Sequence, residues 1–251
     1  MTYERPAVVP PPGDNGESVT VVVPAYNEEK RIGEALKQIR DALEATGLQF
    51  EIIPVDDGSR DTTREIMDLY ARDDQRIRPV SYSPNRGKGH AVRRGMLASR
   101  GSLLLFTDCD LSTPLAELPR FLQLARQYDI VVASRALPTS IIPVRQPFHR
   151  RVLGTLSRWL VAHVLGLDIR DTQCGFKLFR RRALGLFKKQ KIDGFGFDFE
   201  ILFLAKQEGF SVKEVGVTWQ NGSGSKVRLL DFPRTLLELI RVRQNSRQGI
   251  Y

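Results

Sequence analysis

Cysteine is scarce in this sequence: Cys109 and Cys174 are the two in 251 residues, and they form no CxxC pair. No disulfide framework is expected from them. Both read as structural thiols, and without a recognisable secretory leader a reducing cytoplasm is the expected compartment. Long apolar runs are missing as well. Stretches such as 103–106 fall far short of the roughly 18 residues that a membrane-spanning helix needs, so no segment is expected to span a bilayer. Zinc-finger, helix-turn-helix and aromatic RNA-binding signatures are absent, which argues against a nucleic-acid-binding module. No internal repeat is visible.

What is present is enough apolar material, 41% of residues, to bury a sizeable core in one large domain or a core with appendages. The formal net charge of +9 favours an anionic partner such as a nucleotide, nucleic acid or an anionic membrane leaflet, without choosing among them.

Residues 1–17 carry three consecutive prolines followed by Gly13, Asn15 and Gly16, and read as a disordered leader. From Ser18 the pattern alternates. Apolar runs at 19–23, 50–55, 77–82, 103–107 and 130–134 are separated by helical patterns at 28–45, 61–72, 89–99 and 115–127. Such alternation predicts an α/β fold, a mostly parallel, doubly wound sheet with helices on both faces. Ligands of such sheets bind beyond the carboxyl ends of the strands. After Arg135 the rhythm changes to a loop punctuated by Pro138, Pro143 and Pro147, a helix over about 151–165, a further loop, a helix near 197–208 and an apolar run at 212–217. This half is expected to close over the ligand edge. A Gly/Ser loop and a basic amphipathic tail, 227–251, follow.

Polar residues gather where the strands end. The first run leads into Pro24-Ala25-Tyr26-Asn27-Glu28 and the second into Asp56-Asp57-Gly58-Ser59-Arg60-Asp61. Carboxylates there can accept hydrogen bonds from a base or ribose, although each motif taken singly also reads as a helix cap. The fourth run ends in Asp108-Cys109-Asp110, two carboxylates on a tight turn. A hard cation such as Mg²⁺ or Mn²⁺ takes oxygen ligands and keeps positions open for phosphate oxygens.

Together these three motifs resemble family 2 glycosyltransferases, whose Rossmann-like α/β fold is called GT-A, over a region from about Val19 onward. The resemblance implies a nucleotide site at Pro24, Ala25, Tyr26, Glu28, Asp56 and Asp57, and a metal at Asp108 and Asp110 that bridges a diphosphate, with Cys109 between them. It also divides residues 18–226 into a nucleotide-binding part, 18–134, and an acceptor-side extension, 135–226.

Asn85-Arg86-Gly87-Lys88-Gly89-His90 opens a helix, with Gly87 letting backbone approach a ligand and Lys88 supplying charge. It is no Walker loop, since the spacing differs and no Ser/Thr follows the lysine; a plain turn is its other reading.

Asp171-Thr172-Gln173-Cys174-Gly175-Phe176-Lys177 resembles the polyprenyl (dolichyl)-phosphate glucosyltransferases and tilts the donor toward UDP-glucose rather than the GDP-mannose of related mannosyltransferases. That resemblance implies an acceptor side at Asp171, Gln173 and Lys177; physically, Asp171 and Lys177 suit either ligand contacts or a buried salt bridge holding the loop. Asp198 and Glu200 place acids at a helix start. Ser225 and Lys226 end a Gly/Ser loop that can fold over the diphosphate, with Lys226 neutralising the leaving group; without the resemblance it reads as a linker. Trp219 reads as a core or rim aromatic or as a sugar platform.

The reaction expected is a single inverting displacement with Asp110, Arg135, Lys177, Asp198 and Glu200 as catalytic-side candidates. A polyprenyl phosphate acceptor is already anionic and favours the cations Arg135 and Lys177, whereas a sugar hydroxyl needs a base such as Asp198 or Glu200. Transfer to a soluble or glycan acceptor and an inactive nucleotide-sugar-binding regulator are the other readings.

Lastly, Leu156, Trp159, Leu160 and Val164 fall on one broad face of the helix begun near 151, and Arg145, Arg150, Arg151 and Arg158 surround it. Arg228, Arg234, Arg241 and Arg243 decorate the tail. Either helix reads as a core cover or as an interfacial segment at an anionic, cytoplasmic membrane surface. His163 reads as a packed, hydrogen-bonded histidine.

Overall fold

The structure, a computed structural model, describes residues 16–143, 148–220 and 231–251, with backbone alone at 148–153 and 231–232. The leader up to residue 15, Arg145, the Gly/Ser loop with Ser225 and Lys226, and Arg228 lie outside the described residues, and the side chains of Arg150 and Arg151 lie outside them too.

The chain runs β1 (Ser18–Ala25), α1 (Ile32–Glu44), β2 (Gln49–Asp56), α2 (Thr63–Asp73), β3 (Val80–Ser81), α3 (Lys88–Ala98), β4 (Leu103–Thr107), a 3₁₀ turn and α4 (Leu118–Leu124), then β5 (Ile130–Ser134). It continues with α5 (Phe148–Leu165), β6 (Phe176–Arg180), α6 (Leu184–Lys189), α7 (Phe197–Gln207), β7 (Val212–Gly216) and α8 (Asp231–Arg247). These strands form a seven-stranded sheet in the order β3-β2-β1-β4-β6-β5-β7. β1 pairs in parallel with both β2 and β4, so the chain reverses its direction of winding between them and opens a crevice at their carboxyl ends.

Two apolar layers explain why β1 and β2 read as continuous apolar runs. Val22, Ile53, Val55, Leu104 and Phe106 belong to one buried cluster, while Val19, Val21, Val23, Ile52 and Leu105 belong to another on the opposite face. Successive side chains of a strand point to opposite faces, and both faces here are covered by helices. α3 lies so close to β1 that a Cβ on Gly95 would meet Val22 Cγ1 at 2.3 Å.

Two elements differ from the sequence reading. β3 is reduced to Val80–Ser81, with an isolated bridge between Ile52 and Ile77, because Pro79 has no N–H for the ladder. The loop expected around 166–179 contains a strand: β6 inserts antiparallel between β4 and β5. Residues 135–226 therefore supply β6 and β7 to the sheet, of which the sequence shows only the apolar run at 212–217. Among the described residues no helix is long and apolar enough to cross a membrane.

Candidate active site

Register brings the first two motifs together, since Ala25 at the end of β1 lies beside Asp56 at the end of β2. Their loops interlock. Asn27, at φ 52°, donates its N–H to Ser59 Oγ (2.9 Å) and accepts from Arg60 N–H through Oδ1 (2.8 Å). Glu28 receives Arg31 Nε at 2.6 Å, and its own N–H goes to Thr63 Oγ1 at 2.7 Å. Pro24 and Ala25 are the last two residues of β1, and Tyr26 is half-buried beyond them. Asp56 is buried and accepts from Ser59 N–H at 3.0 Å.

Asp57 follows β2 directly. Its buried carboxylate accepts from Tyr82 Oη (2.8 Å), Asn85 Nδ2 (2.8 Å), and the N–H groups of Arg86 (2.8 Å) and Gly87 (2.9 Å). With those donors it organises the β3–α3 loop. Gly58, at φ +71°, completes the close approach, because a Cβ there would lie 2.7 Å from the Asn85 nitrogen. The loop presents Lys88 as the first residue of α3, and its Nζ lies 2.6 Å from Asp108 Oδ1. Burial alone would lower the Lys88 pKa, but Asp108, Asp198 and Asp110 together hold the ammonium above its ordinary value.

The Asp108-Cys109-Asp110 turn follows β4 directly. Asp108 N–H donates to Gly175 O (3.1 Å), Asp110 Oδ1 accepts from Ser112 N–H (3.0 Å), and Leu111 stands at φ 46°. Gly175 is the residue that lets this carboxylate sit where it does, for a Cβ there would fall 2.0 Å from Asp108 Oδ2. Among the described residues no group of three or more His, Cys, Asp or Glu could hold a metal ion. Two carboxylates on one turn, with Asp108 seated closely against Gly175, suit a cation such as Mg²⁺ that takes its other ligands from phosphate and water. Cys109 points the other way, into the core beneath α1, where burial pushes its thiol well up. Its side chain is a packing group.

On the far side of the turn, Arg135 follows β5 and grips Asp171. The carboxylate of Asp171 accepts from Arg135 N–H (2.9 Å), Nε (2.7 Å) and Nη2 (2.9 Å), and Gln173 N–H approaches at 3.3 Å. Burial would raise the Asp171 pKa, yet the Arg135 guanidinium holds it down to about 2. The guanidinium also lies over the Trp219 ring, 5.7 Å from its centroid. Gln220 N–H reaches Ser112 O (2.8 Å), which ties the segment entering the Gly/Ser loop to the Asp108–Asp110 turn.

Lys177 takes the second of its two sequence readings, a buried salt bridge, and Glu200 lies away from the strand ends. Lys177, 1% exposed, is sealed between β4 and α7, where its ammonium bonds Asp198 and the Cys174 carbonyl (2.7 Å) and lies over Phe106. It pairs with Asp198 rather than Asp171. Glu200 is fully buried, and its carboxylate accepts from the N–H groups of Lys191 and Ile192 (2.9 Å each) and from Tyr251 Oη (2.7 Å). These partners belong to the α6–α7 loop and to the C-terminal residue, none to a strand end.

One group was invisible in the motifs. The Asp193–Gly196 turn supports α3 from beneath, with Asp193 O accepting from His90 N–H (3.1 Å) and its carboxylate facing His90 Nδ1 (3.2 Å). α8 closes this turn through Glu238, which accepts Gly196 N–H at 2.7 Å. The paired glycines carry the only sequence signal, for a Cβ on Gly194 would lie 2.0 Å from Glu238 Oε1.

The model of the family described as "Glycosyl transferase family 2" matches residues 20–187, which include all three strand-end motifs. The chain belongs to glycosyl transferase family 2. Within that family it is 37% identical over 225 residues to the dolichyl-phosphate beta-glucosyltransferase of Drosophila melanogaster, covering 83% of this chain and 69% of that protein. Its identity to the dolichyl-phosphate beta-glucosyltransferase of Homo sapiens is 33% over 226 residues, covering 84% of this chain and 70% of that protein. Among solved structures, glucosyl-3-phosphoglycerate synthase from Mycobacterium tuberculosis, in complex with Mn²⁺, UDP-glucose and phosphoglyceric acid, matches with a TM-score of 0.71. That match has 20% sequence identity and covers 100% of this family 2 chain and 87% of that one. The shared architecture is the GT-A fold.

Proposed function

We propose that this family 2 transferase moves glucose from UDP-glucose to a polyprenyl phosphate of the dolichyl type. The names of the relatives supply the sugar and the acceptor; one observation of the site carries the choice of a phosphate over a hydroxyl acceptor. Asp198 and Glu200, the carboxylates a hydroxyl acceptor would need as base, are tied to Lys177 and to backbone N–H groups. A phosphate monoester oxygen is already anionic near neutral pH and needs positioning instead of a base.

In this reading the acceptor oxygen attacks the anomeric carbon from the face opposite UDP. The new carbon–oxygen bond forms as the bond to the β-phosphate oxygen breaks, and its electron pair leaves on UDP with inversion. The loops after β1 and β2 hold the nucleoside. Asp108 and Asp110 would hold Mg²⁺ or Mn²⁺, which neutralises the diphosphate when bound. Lys88 adds a fixed cation at the same edge, set there by Asp57. Arg135, oriented by Asp171 and resting over Trp219, is the cation facing the acceptor side. Ser225 and Lys226 are assigned to the diphosphate in this proposal, Lys226 as a neutralising charge. The division into a nucleotide part, 18–134, and an acceptor part, 135–226, is functional in this proposal. We place the domain at the cytoplasmic face of a membrane, a compartment compatible with the two buried, free thiols.

The test is nucleotide release by the purified protein from UDP-glucose and from GDP-mannose, with and without a short polyprenyl phosphate and Mg²⁺. Release of UDP that depends on the acceptor is expected. GDP release in its place would replace the donor, and no acceptor-dependent release from either would overturn the assignment.

A further inference from the structure

α8 is two-sided. One side is internal, with Leu239 and Val242 buried in the core and Glu238 on the Gly196 N–H. The other carries Leu236 (45% exposed), Leu237 (60%) and Ile240 (46%) into solvent. At about 100° per residue these three share one stripe distinct from the buried one. α8 packs against α5, which exposes Leu156 (57%) and Trp159 (60%), the indole stacked on His163 with a centroid spacing of 5.3 Å. Large apolar side chains this exposed on neighbouring helices mark an interaction surface.

Charge selects the partner. Arg234, Arg241, Arg243 and Arg247 are all exposed on α8, and from Pro233 to Arg247 no acidic residue is exposed. The stripe lies between Arg243 on one side and Arg234 and Arg241 on the other, the pattern of a helix lying in an anionic lipid interface. Trp159 adds an amphipathic ring of the kind enriched at that depth. The surface also adjoins the acceptor side, because Arg158, next to Trp159, is close enough to feel the charges of Asp171 and Arg135.

We infer that the outward faces of α8 and α5 dock this domain on an anionic lipid surface, and that the docking needs acidic headgroups but no acceptor lipid. The inference rests on the lipid-phosphate reading for its purpose, though not for its test. Each arginine near such a surface strengthens partitioning about fivefold, so Arg234→Gln, Arg241→Gln and Arg243→Gln together weaken it roughly a hundredfold.

The experiment is flotation of the whole chain with phosphatidylcholine vesicles, with and without phosphatidylserine and free of any polyprenyl phosphate. Binding is expected to the anionic vesicles alone. It should fade as salt rises from about 0.1 M to about 1 M, where the Debye length falls from about 10 Å to about 3 Å. Trp159 emission shifts to the blue and is quenched by spin-labelled lipid, and Trp159→Phe abolishes that quenching. Leu237→Glu with Ile240→Glu abolishes binding while the circular dichroism and melting temperature stay unchanged. Equal binding to neutral vesicles, or binding indifferent to these variants, overturns the inference. So does a dimer in solution that the Leu237→Glu, Ile240→Glu chain loses, which would assign the stripe to a second copy. UDP release with a detergent-solubilised short acceptor is read on the same variants: its failure in the parent chain, with docking intact, sinks the acceptor reading alone.

Discussion

Replacing Asp171 with Asn keeps the shape of the side chain and removes the charge that Arg135 grips. The carboxyl titrates at about 2 in the folded chain against an ordinary 3.8, a depression of nearly two pH units. At 1.36 kcal/mol per unit this difference is worth about 2 kcal/mol, and Asp171 is fully buried, so solvent screening takes little from it. Because the folded value is the lower one, the stabilisation is complete above pH 4 and is lost as pH falls through about 2. Asp171→Asn should therefore be about 2 to 3 kcal/mol less stable than the parent at pH 6, with the gap narrowing between pH 4 and pH 2.5. Urea unfolding of both chains at a series of pH values measures it, and comparing the two cancels the other carboxylates. For a slope of about 3 kcal/mol per molar urea the midpoint moves by about 0.8 M at pH 6. A gap that stays constant down to pH 2.5, or an Asn variant as stable as the parent, would refute the argument.

Three further outcomes are expected. Asp108→Asn or Asp110→Asn should lower turnover by about a hundredfold or more and weaken the Mg²⁺-dependent binding of UDP followed by calorimetry, with melting temperature held. Gly175→Ala should push Asp108 off its position and reproduce most of that loss; near-parental turnover would show that the close approach at Gly175 does not matter. Gly95→Ala forces a methyl against Val22 and should destabilise the fold by about 1 to 3 kcal/mol in thermal unfolding.

The parts of this architecture that could be read directly from the residues are those set by local pattern. β1, β2, β4 and β5 show as apolar runs because helices cover both faces of the sheet. β6 does not show, since its pairing with β4 is fixed by residues some seventy positions away and its alternation is broken by a lysine that is buried only because Asp198 meets it. In the site, Asp108 and Lys88 are legible from turn chemistry. The role of Asp57 is not, because its partners Tyr82 and Asn85 lie 25 and 28 residues downstream. Glu200 sits at a helix start like a catalytic acid, and only the return of the chain to Tyr251, 51 residues on, reveals its buried bond.

The placement of β6 also bears on how the chain is assembled during synthesis. β5 is made before β6, yet its ladder partners are β6 and β7, both later in the sequence. A nascent chain that has reached Ser134 can complete the block β3-β2-β1-β4, but the peptide groups of β5 then have no neighbouring strand to bond. The Asp108 edge and the Arg135 edge of the cleft accordingly come into register only once Phe176–Arg180 has been threaded between them. A split version of this enzyme cut after β5 should therefore regain activity only when the second fragment is supplied, whereas the cut itself leaves every β1–β4 pairing intact.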